Sequence, residues 1–272
     1  MIKRIVKFYF TGTDTTKKVV DAFVDTAAKD LNVDEIYDFN YTLPEARKNA
    51  PKFGEGDLVV SGVPTIAGRV PNLLLPYLNT LEGQGALGVA ISMYGNRNFD
   101  DCLVEQRDLL QKGGVKVVGA GAFIGEHSFS TILGATRPDD ADLKVVEEFA
   151  HKTAEKIAKG DYSEPEVKGE VPYRPYYTPR DRKGNLINFV KIKPETDVAL
   201  CIDCKICAES CPLGSIDYDD TSKIPGKCMK CCACIKKCPT GAKYFADEGY
   251  NFHREELEIQ YAENRCEPEY FL

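Results

Sequence analysis

Eight of the eleven cysteines carry the strongest chemical signal in this 272-residue chain. They fall in Cys201-Ile-Asp-Cys204-Lys-Ile-Cys207-Ala-Glu-Ser-Cys211-Pro212 and again in Cys228-Met-Lys-Cys231-Cys232-Ala-Cys234-Ile-Lys-Lys-Cys238-Pro239. Each stretch is C-x2-C-x2-C-x3-C-P, and each cysteine lies 27 positions from its twin. Three thiolates so closely spaced on one loop can turn inward onto a single iron–sulfur cubane, with the fourth supplied from further along the chain. The proline after each fourth cysteine ends its loop, because it has no N–H to donate and fixes its own φ. The duplicated pattern predicts a pair of [4Fe–4S] clusters.

Composition bounds what can surround such clusters. The chain is long enough for two domains, one with a sizeable core. A hydrophobic fraction of 43% and a charged fraction of 28% describe an ordinary globular protein. The formal net charge of −7 argues against nucleic acid or an anionic membrane as partner. No apolar stretch is long enough to suggest a membrane span, and Ile5 to Phe10 runs straight into a polar loop, unlike a signal peptide. Clustered cysteines without an export signal indicate metal rather than disulfides. The expected compartment is a reducing cytoplasm, and exposed cubanes favour an anaerobe.

The first 160 residues read as alternating strands and helices. Strands are expected at Ile5–Phe10, Asp34–Phe39, Leu58–Val63, Leu87–Ser92 and Val115–Phe123. Helices are expected from Val19, Val20, Phe23, Val24, Ala27 and Leu31 at helical spacing, and over roughly 72–81, 99–112 and 140–159. Five strands alternating with helices imply an α/β fold with a doubly wound parallel sheet. Such sheets bind ligands beyond the carboxyl ends of their strands, where strand order switches.

Three loops leave those ends. Thr11-Gly-Thr-Asp-Thr-Thr16 offers four threonine hydroxyls and a helix N-terminus, a combination that cradles phosphate or simply caps the helix. Pro64-Thr-Ile-Ala-Gly-Arg-Val-Pro71 is framed by prolines and carries a glycine for close backbone approach. Ser92-Met-Tyr-Gly-Asn-Arg-Asn-Phe-Asp100 places an aromatic residue that could stack on a flat ring before a glycine. Each of the latter two also suits a plain loop. Gly119-Ala-Gly-Ala-Phe-Ile-Gly125 is a loose dinucleotide fingerprint in the wrong strand–turn–helix unit, so its small residues are expected to let the backbone pass close to a ligand or a neighbouring domain. His127, just beyond, suits either a structural role or a hydrogen bond to a bound ring.

Together these loops resemble the flavodoxin family over about residues 1–160, in strand order and loop chemistry. The resemblance implies FMN, its phosphate on Thr11, Gly12, Thr13, Asp14, Thr15 and Thr16. Its ring would lie between Pro64, Thr65, Ile66, Ala67, Gly68 and Arg69 on one side and Met93, Tyr94, Gly95, Asn96 and Arg97 on the other, with His127 nearby. Two departures stand out. Asp14 replaces the usual glycine, and its carboxylate would repel phosphate unless it turned away to cap the helix. The chain also has no tryptophan, so Tyr94 or Ile66 must supply the ring platform.

From Asp161 to Pro194, helical periodicity gives way to five prolines with Tyr173, Tyr176 and Tyr177 among them, which reads as an extended connector packed on a domain surface. Residues 198–246 resemble bacterial two-cluster ferredoxins, a small α+β domain, with Tyr218 to Gly226 as a hairpin or turn. That resemblance implies one cluster on Cys201, Cys204, Cys207 and Cys238 and another on Cys228, Cys231, Cys234 and Cys211. Cys232 falls where these ferredoxins commonly have glycine or another small residue and reads as a bystander. Cys102 reads as a core residue, and Cys266 has no assigned role. Residues 247–272 form an acidic tail whose aromatic residues suggest that it packs back on the body.

The whole order, 1–160, 161–197, 198–246 and 247–272, resembles flavodoxin–ferredoxin fusion proteins of anaerobic microbes. It implies an electron-transfer protein relaying electrons among FMN, two clusters and an outside redox protein or small acceptor. The alternative is a flavin-dependent oxidoreductase that reduces a small molecule with electrons fed by the clusters. A homodimer is allowed.

Overall fold

Apolar strand-length runs and amphipathic helical runs alternate through the first part of the chain. In the computed structural model, which describes all 272 residues, they fold as β1 (Arg4–Tyr9), α1 (Thr15–Leu31), β2 (Glu35–Asn40), β3 (Asp57–Pro64), α2 (Leu75–Leu78), β4 (Leu87–Tyr94), α3 (Cys102–Lys112), β5 (Lys116–Ile124) and α4 (Asp140–Ala158). The rest of the chain adds β6 (Glu195–Thr196), α5 (Ile206–Glu209), α6 (Ala233–Lys236), β7 (Lys243–Tyr244), α7 (Glu248–Tyr261) and β8 (Glu269–Phe271). The fold is α/β with a mostly parallel central sheet, in the order β2-β1-β3-β4-β5-β8. The side chains of α1 and α4, among them Val19, Phe23, Phe149 and Ile157, form the core on one face of it. Those of α3, including Leu103 and Leu110, join the core on the other. β3 to β5 are therefore buried along almost their whole length, which is why they are continuous apolar runs rather than alternating ones.

Two sequence expectations are corrected, and the alternative left open at Tyr218 to Gly226, hairpin or turn, is decided. The sheet has six strands, not five: β8, from the acidic tail, pairs antiparallel with β5, placing Phe271 opposite Ala120. Three residues are too few to show periodicity. The helix expected over 72–81 contracts to the four residues of α2, with turns on either side. Pro76 sits in its first turn and supplies no N–H, so the helix cannot begin a turn or more before it. The stretch from Tyr218 to Gly226 is a turn without strands, closed by the Asp217 carboxylate accepting from the Asp219 and Asp220 N–H groups.

The small residues of β5 also have a packing reason. A Cβ on Gly119 or Gly121 would lie 3.2 Å from the Phe149 ring, so these glycines let α4 approach the sheet.

The proline-rich connector is strapped down. Arg69 lies between two of its tyrosines, with the guanidinium carbon 4.5 Å from the Tyr173 ring centroid and 4.9 Å from that of Tyr176. The same guanidinium makes a bidentate pair with Glu105 at 2.7 and 2.6 Å and donates to the Arg174 carbonyl at 2.6 Å. Arg174 in turn grips the fully buried Asp101 at 3.0 and 2.5 Å. Glu105 is 4% exposed, so Glu105→Ala leaves Arg69 as a nearly buried charge without its partner. The variant should lose about 3 kcal/mol of stability, read as a lower urea midpoint, with early proteolysis of residues 161–194.

Candidate functional site

The cysteine-rich segment folds as two related halves. Left-handed backbone recurs at Asp203, Lys205 and Gly214 (φ 53°, 64° and 58°) and again at Lys230, Cys232 and Gly241 (φ 59°, 58° and 69°). Every pair is 27 residues apart, so the sequence repeat is also a conformational one. These bends wrap the two cysteine loops around two cavities. Cys201, Cys204, Cys207 and Cys238 line one of about 330 Å³. Cys211, Cys228, Cys231 and Cys234 line the other, of about 410 Å³. Each cavity thus has three cysteines from one half and the fourth from the other. The left-handed conformation of Cys232 accounts for the small-residue preference expected there. Its side chain lies against Ile192, Phe245 and Tyr250, although it also borders the second cavity.

No group of three or more His, Cys, Asp or Glu side chains converges closely enough for a single metal ion. A cubane makes a different demand, since its four thiolates bind four different irons and stand further apart. Two observations of the surroundings bear on the fit. Lys230 and Lys243, 8% and 3% exposed, donate to carbonyl oxygens, those of Cys228 at 2.9 Å and Thr221 at 2.5 Å. Buried ammonium groups need compensating negative charge, which anionic clusters would provide. Burial also pushes the Cys231 thiol up to about 12 and raises those of Cys228 and Cys234. As free thiols they stay protonated, and a bound metal must displace those protons.

A third cavity, of about 560 Å³, opens at the carboxyl ends of the parallel strands. Gly12, Thr13, Thr15 and Thr16 line it from the β1–α1 turn, and Pro64, Thr65 and Ile66 from the end of β3 and beyond. Met93, Tyr94 and Gly95 enter from β4, and Gly125, Glu126, His127 and Ser128 from the loop after β5. The remaining wall includes Cys231. One wall hydroxyl, Thr65 Oγ1, is buried without a hydrogen-bond partner. Together with the Thr13, Thr15 and Thr16 hydroxyls at the N-terminus of a 17-residue helix, it suits an anionic, hydrogen-bonding ligand such as a phosphate ester.

Several residues expected to line this cavity do not. Arg69 is held by Glu105 and the two tyrosines, and the neighbouring Ala67 carbonyl accepts from the Tyr177 N–H at 3.0 Å. Ala67 thus takes its place in the strap contacts, and the Gly68 carbonyl accepts from the Asp101 N–H at 3.0 Å; neither lines the wall. Asn96 holds the tail, donating to the Tyr261 and Asn264 carbonyls at 3.0 and 2.6 Å. Its Oδ1 accepts from Cys266 N–H at 3.2 Å, which also gives Cys266 a place in the fold. Arg97 pairs with Asp100. The Thr11 side chain lies behind the wall, with its N–H donating to Thr42 Oγ1 at 2.8 Å. Tyr94 lines the cavity, yet its hydroxyl is directed outward to the Glu267 carbonyl at 3.4 Å.

Asp14 does not cap α1 as expected. It occupies the N-cap position with φ 67° and no side-chain capping bond, a left-handed conformation that aspartate tolerates better than most residues. Its carboxylate pairs with Lys237 at 3.1 Å, so it faces the cysteine-rich segment. Lys236 likewise reaches Glu126 and the Ser130 carbonyl. Sequence reasoning missed Glu126, Ser128 and Cys231 as wall residues. The only signal was the glycine-rich end of β5, where Gly125 packs against Thr15 with no room for a Cβ.

His127 packs across Gly95, where a Cβ would fall 2.3 Å from the imidazole Cδ2. Its Nδ1 accepts from the Phe129 N–H at 3.1 Å, so in the neutral ring the proton sits on Nε2. Burial, reinforced by His253, Lys236 and Arg97, pushes its pKa down to about 4. A histidine depressed in the fold contributes stability that is complete above the unfolded value near 6.5 and is lost as pH falls from there toward 4. The urea midpoint should therefore drop on acidification from pH 7 to pH 5, and less in His127→Asn.

No protein-family profile matches the chain, and no curated protein matches it. Among solved structures, the chain is similar over its α/β part to a flavodoxin from the domain Archaea, at 18% identity, covering 57% of this chain and 99% of that one with a TM-score of 0.38. It is similar to the two-electron reduced flavodoxin of Megasphaera elsdenii, at 14% identity, 56% and 98% coverage and a TM-score of 0.37. It is also similar to an apo NADH:FMN oxidoreductase, at 15% identity, 57% and 89% coverage and a TM-score of 0.38.

Proposed function

We propose that the chain is an electron carrier in which FMN occupies the cavity at the strand ends and two [4Fe–4S] clusters occupy the cysteine cavities. Residues 1–160 form the flavin unit, 161–197 the strap, 198–246 a ferredoxin-like module and 247–272 a tail that closes the sheet edge. When bound, FMN supplies one- or two-electron chemistry and the clusters supply one-electron steps. The chain's own task is placement. Thr13, Thr15, Thr16 and the α1 N-terminus hold the phosphate, Ile66 and Tyr94 flank the ring, and His127 presents Nε2–H.

One observation carries this reading: Cys231 lines both the strand-end cavity and a cysteine cavity. A Cβ built on Gly12 would stand 3.2 Å from Cys231 Cβ, so the phosphate-side turn and a cluster ligand are in van der Waals contact. Electron exchange between the two cavities then needs no domain movement. The rival, a flavin-dependent reductase of a small molecule, draws support from His127 on the cavity wall. It loses Tyr94 as a proton donor, because that hydroxyl is turned outward.

Absorbance and iron analysis of anaerobically purified protein test the cofactors, with flavin bands and about eight irons per chain expected. Protein lacking the flavin bands even after incubation with FMN would remove the proposal. Anaerobic turnover with a panel of small acceptors, compared with reduction of a protein carrier, separates the two functions. Efficient small-molecule turnover would favour the reductase.

A further inference from the structure

The two halves of the cysteine repeat carry opposite charge. Residues 227–243 hold five lysines and no acid, whereas residues 195–220 hold seven acids and one lysine. The cationic half is turned inward, with Lys236 on Glu126 and Lys237 on Asp14. The Pro212 carbonyl also accepts from Arg47, and Leu213, Met229 and Cys231 pack against the α/β core. The other cavity, that of Cys201, Cys204, Cys207 and Cys238, shares no lining residue with the strand-end cavity. Cys204 is exposed. Around it the chain leaves Val198, Leu200, Ile202 and Ile206 at 75%, 50%, 64% and 36% exposure. The acids beside this patch are only partly neutralised: Asp203 pairs with Lys205 and Asp220 with Lys223, leaving Glu195, Asp197, Glu209, Asp217 and Asp219 without a cationic partner.

An apolar centre over an exposed ligand cysteine, ringed by surplus negative charge, is the arrangement of a transient protein contact. We propose that the face around Cys204 is the electron port of the chain. It docks a redox protein that surrounds its own exposed cofactor edge with lysines and arginines. The inference rests on the electron-carrier function above and adds the port and the partner's charge. Complementary charge mainly raises the association rate and makes it salt-dependent. Pairing of this face with a second copy of itself would bring like charges together.

The test uses the full chain, anaerobic, with iron and flavin content measured first. The dithionite-reduced protein is mixed in a stopped-flow instrument with cytochrome c as a basic probe, with rubredoxin as an acidic one, and with benzoquinone as a small uncharged acceptor. The rate with cytochrome c should fall by about tenfold or more as ionic strength rises. A triple charge reversal, Asp203→Lys, Glu209→Lys and Asp219→Lys, should slow it by a similar factor and speed rubredoxin, with benzoquinone unchanged. Ile202→Ser should slow cytochrome c several-fold. A control reversal in the tail, Glu256→Lys on α7 with Glu263→Lys just beyond it, should leave all three rates within about twofold.

Equal slowing by both sets of reversals, a salt-independent rate, or a dimer abolished by Ile202→Ser in ultracentrifugation would overturn the port. Protein without iron would remove the carrier function and the port with it. Protein with its full iron and an unaffected cytochrome c rate would overturn the port alone.

Discussion

Cys238→Ala should empty the cavity of the first cysteine motif, although Cys238 belongs to the second. The thiol lines the same cavity as Cys201, Cys204 and Cys207, and Cys211 reciprocally joins Cys228, Cys231 and Cys234. Either single variant should retain about four of about eight irons, but the two should differ in behaviour. If the clusters bind as proposed, Cys238→Ala removes the one beside Cys204 and preserves the one that meets the strand-end cavity through Cys231. Rapid exchange between the flavin and the remaining cluster should survive in single-turnover absorbance measurements. Cys211→Ala removes the inner cluster and should reduce that exchange below detection, while the outer cluster still takes electrons from dithionite. The reverse pattern would show that each motif holds its own cluster.

On the proposed electron-carrier function, Gly95→Ala should weaken FMN binding and spare the iron content. The added Cβ would lie 2.3 Å from His127 Cδ2, 2.7 Å from Cγ and 2.8 Å from Cβ, so the whole side chain, not merely its tip, has to move. Gly95 has no positive φ, which leaves space, not backbone strain, as the reason for glycine. Overpacking of this kind typically costs about 1–3 kcal/mol. Where the displaced residue forms the ligand wall, that corresponds to roughly 5- to 150-fold weaker FMN binding, measurable by fluorescence titration. His127→Ala in the same chain should recover part of the affinity, because the ring is gone but its Cβ remains. If Gly95→Ala binds FMN normally, His127 does not form the wall in the bound state.

Much of the α/β architecture was legible in the chain. The five parallel strands lie within a residue or two of their expected positions; β3 to β5 were legible because buried parallel strands are continuous apolar runs, whereas β2, at the sheet edge, is largely exposed. The helices α1, α3 and α4 were visible from 3.6-residue periodicity. Short elements were not, for opposite reasons. α2 is cut down by Pro76, and β8 is too short to have a pattern. The candidate site was legible in part. The hydroxyl loop and Pro64 to Ile66 do line a cavity, but Arg69, Asn96 and Arg97 were read as ring-flanking when their charges and amides are committed to the strap, the tail and Asp100. A polar side chain's type does not show which of several partners it will meet.

Spacing along the chain by itself determined the cysteine loops, their 27-residue repeat and the hydroxyl-rich turn after the first strand. Such features are local, set by residues whose separation is fixed by a few peptide units. Only the tertiary structure decided that Asp14 faces Lys237, that one half of the repeat turns its lysines inward, and that Cys231 rests on Gly12. Those contacts join residues more than a hundred positions apart. They arise from the packing of one folded unit on another, which leaves no trace in local periodicity.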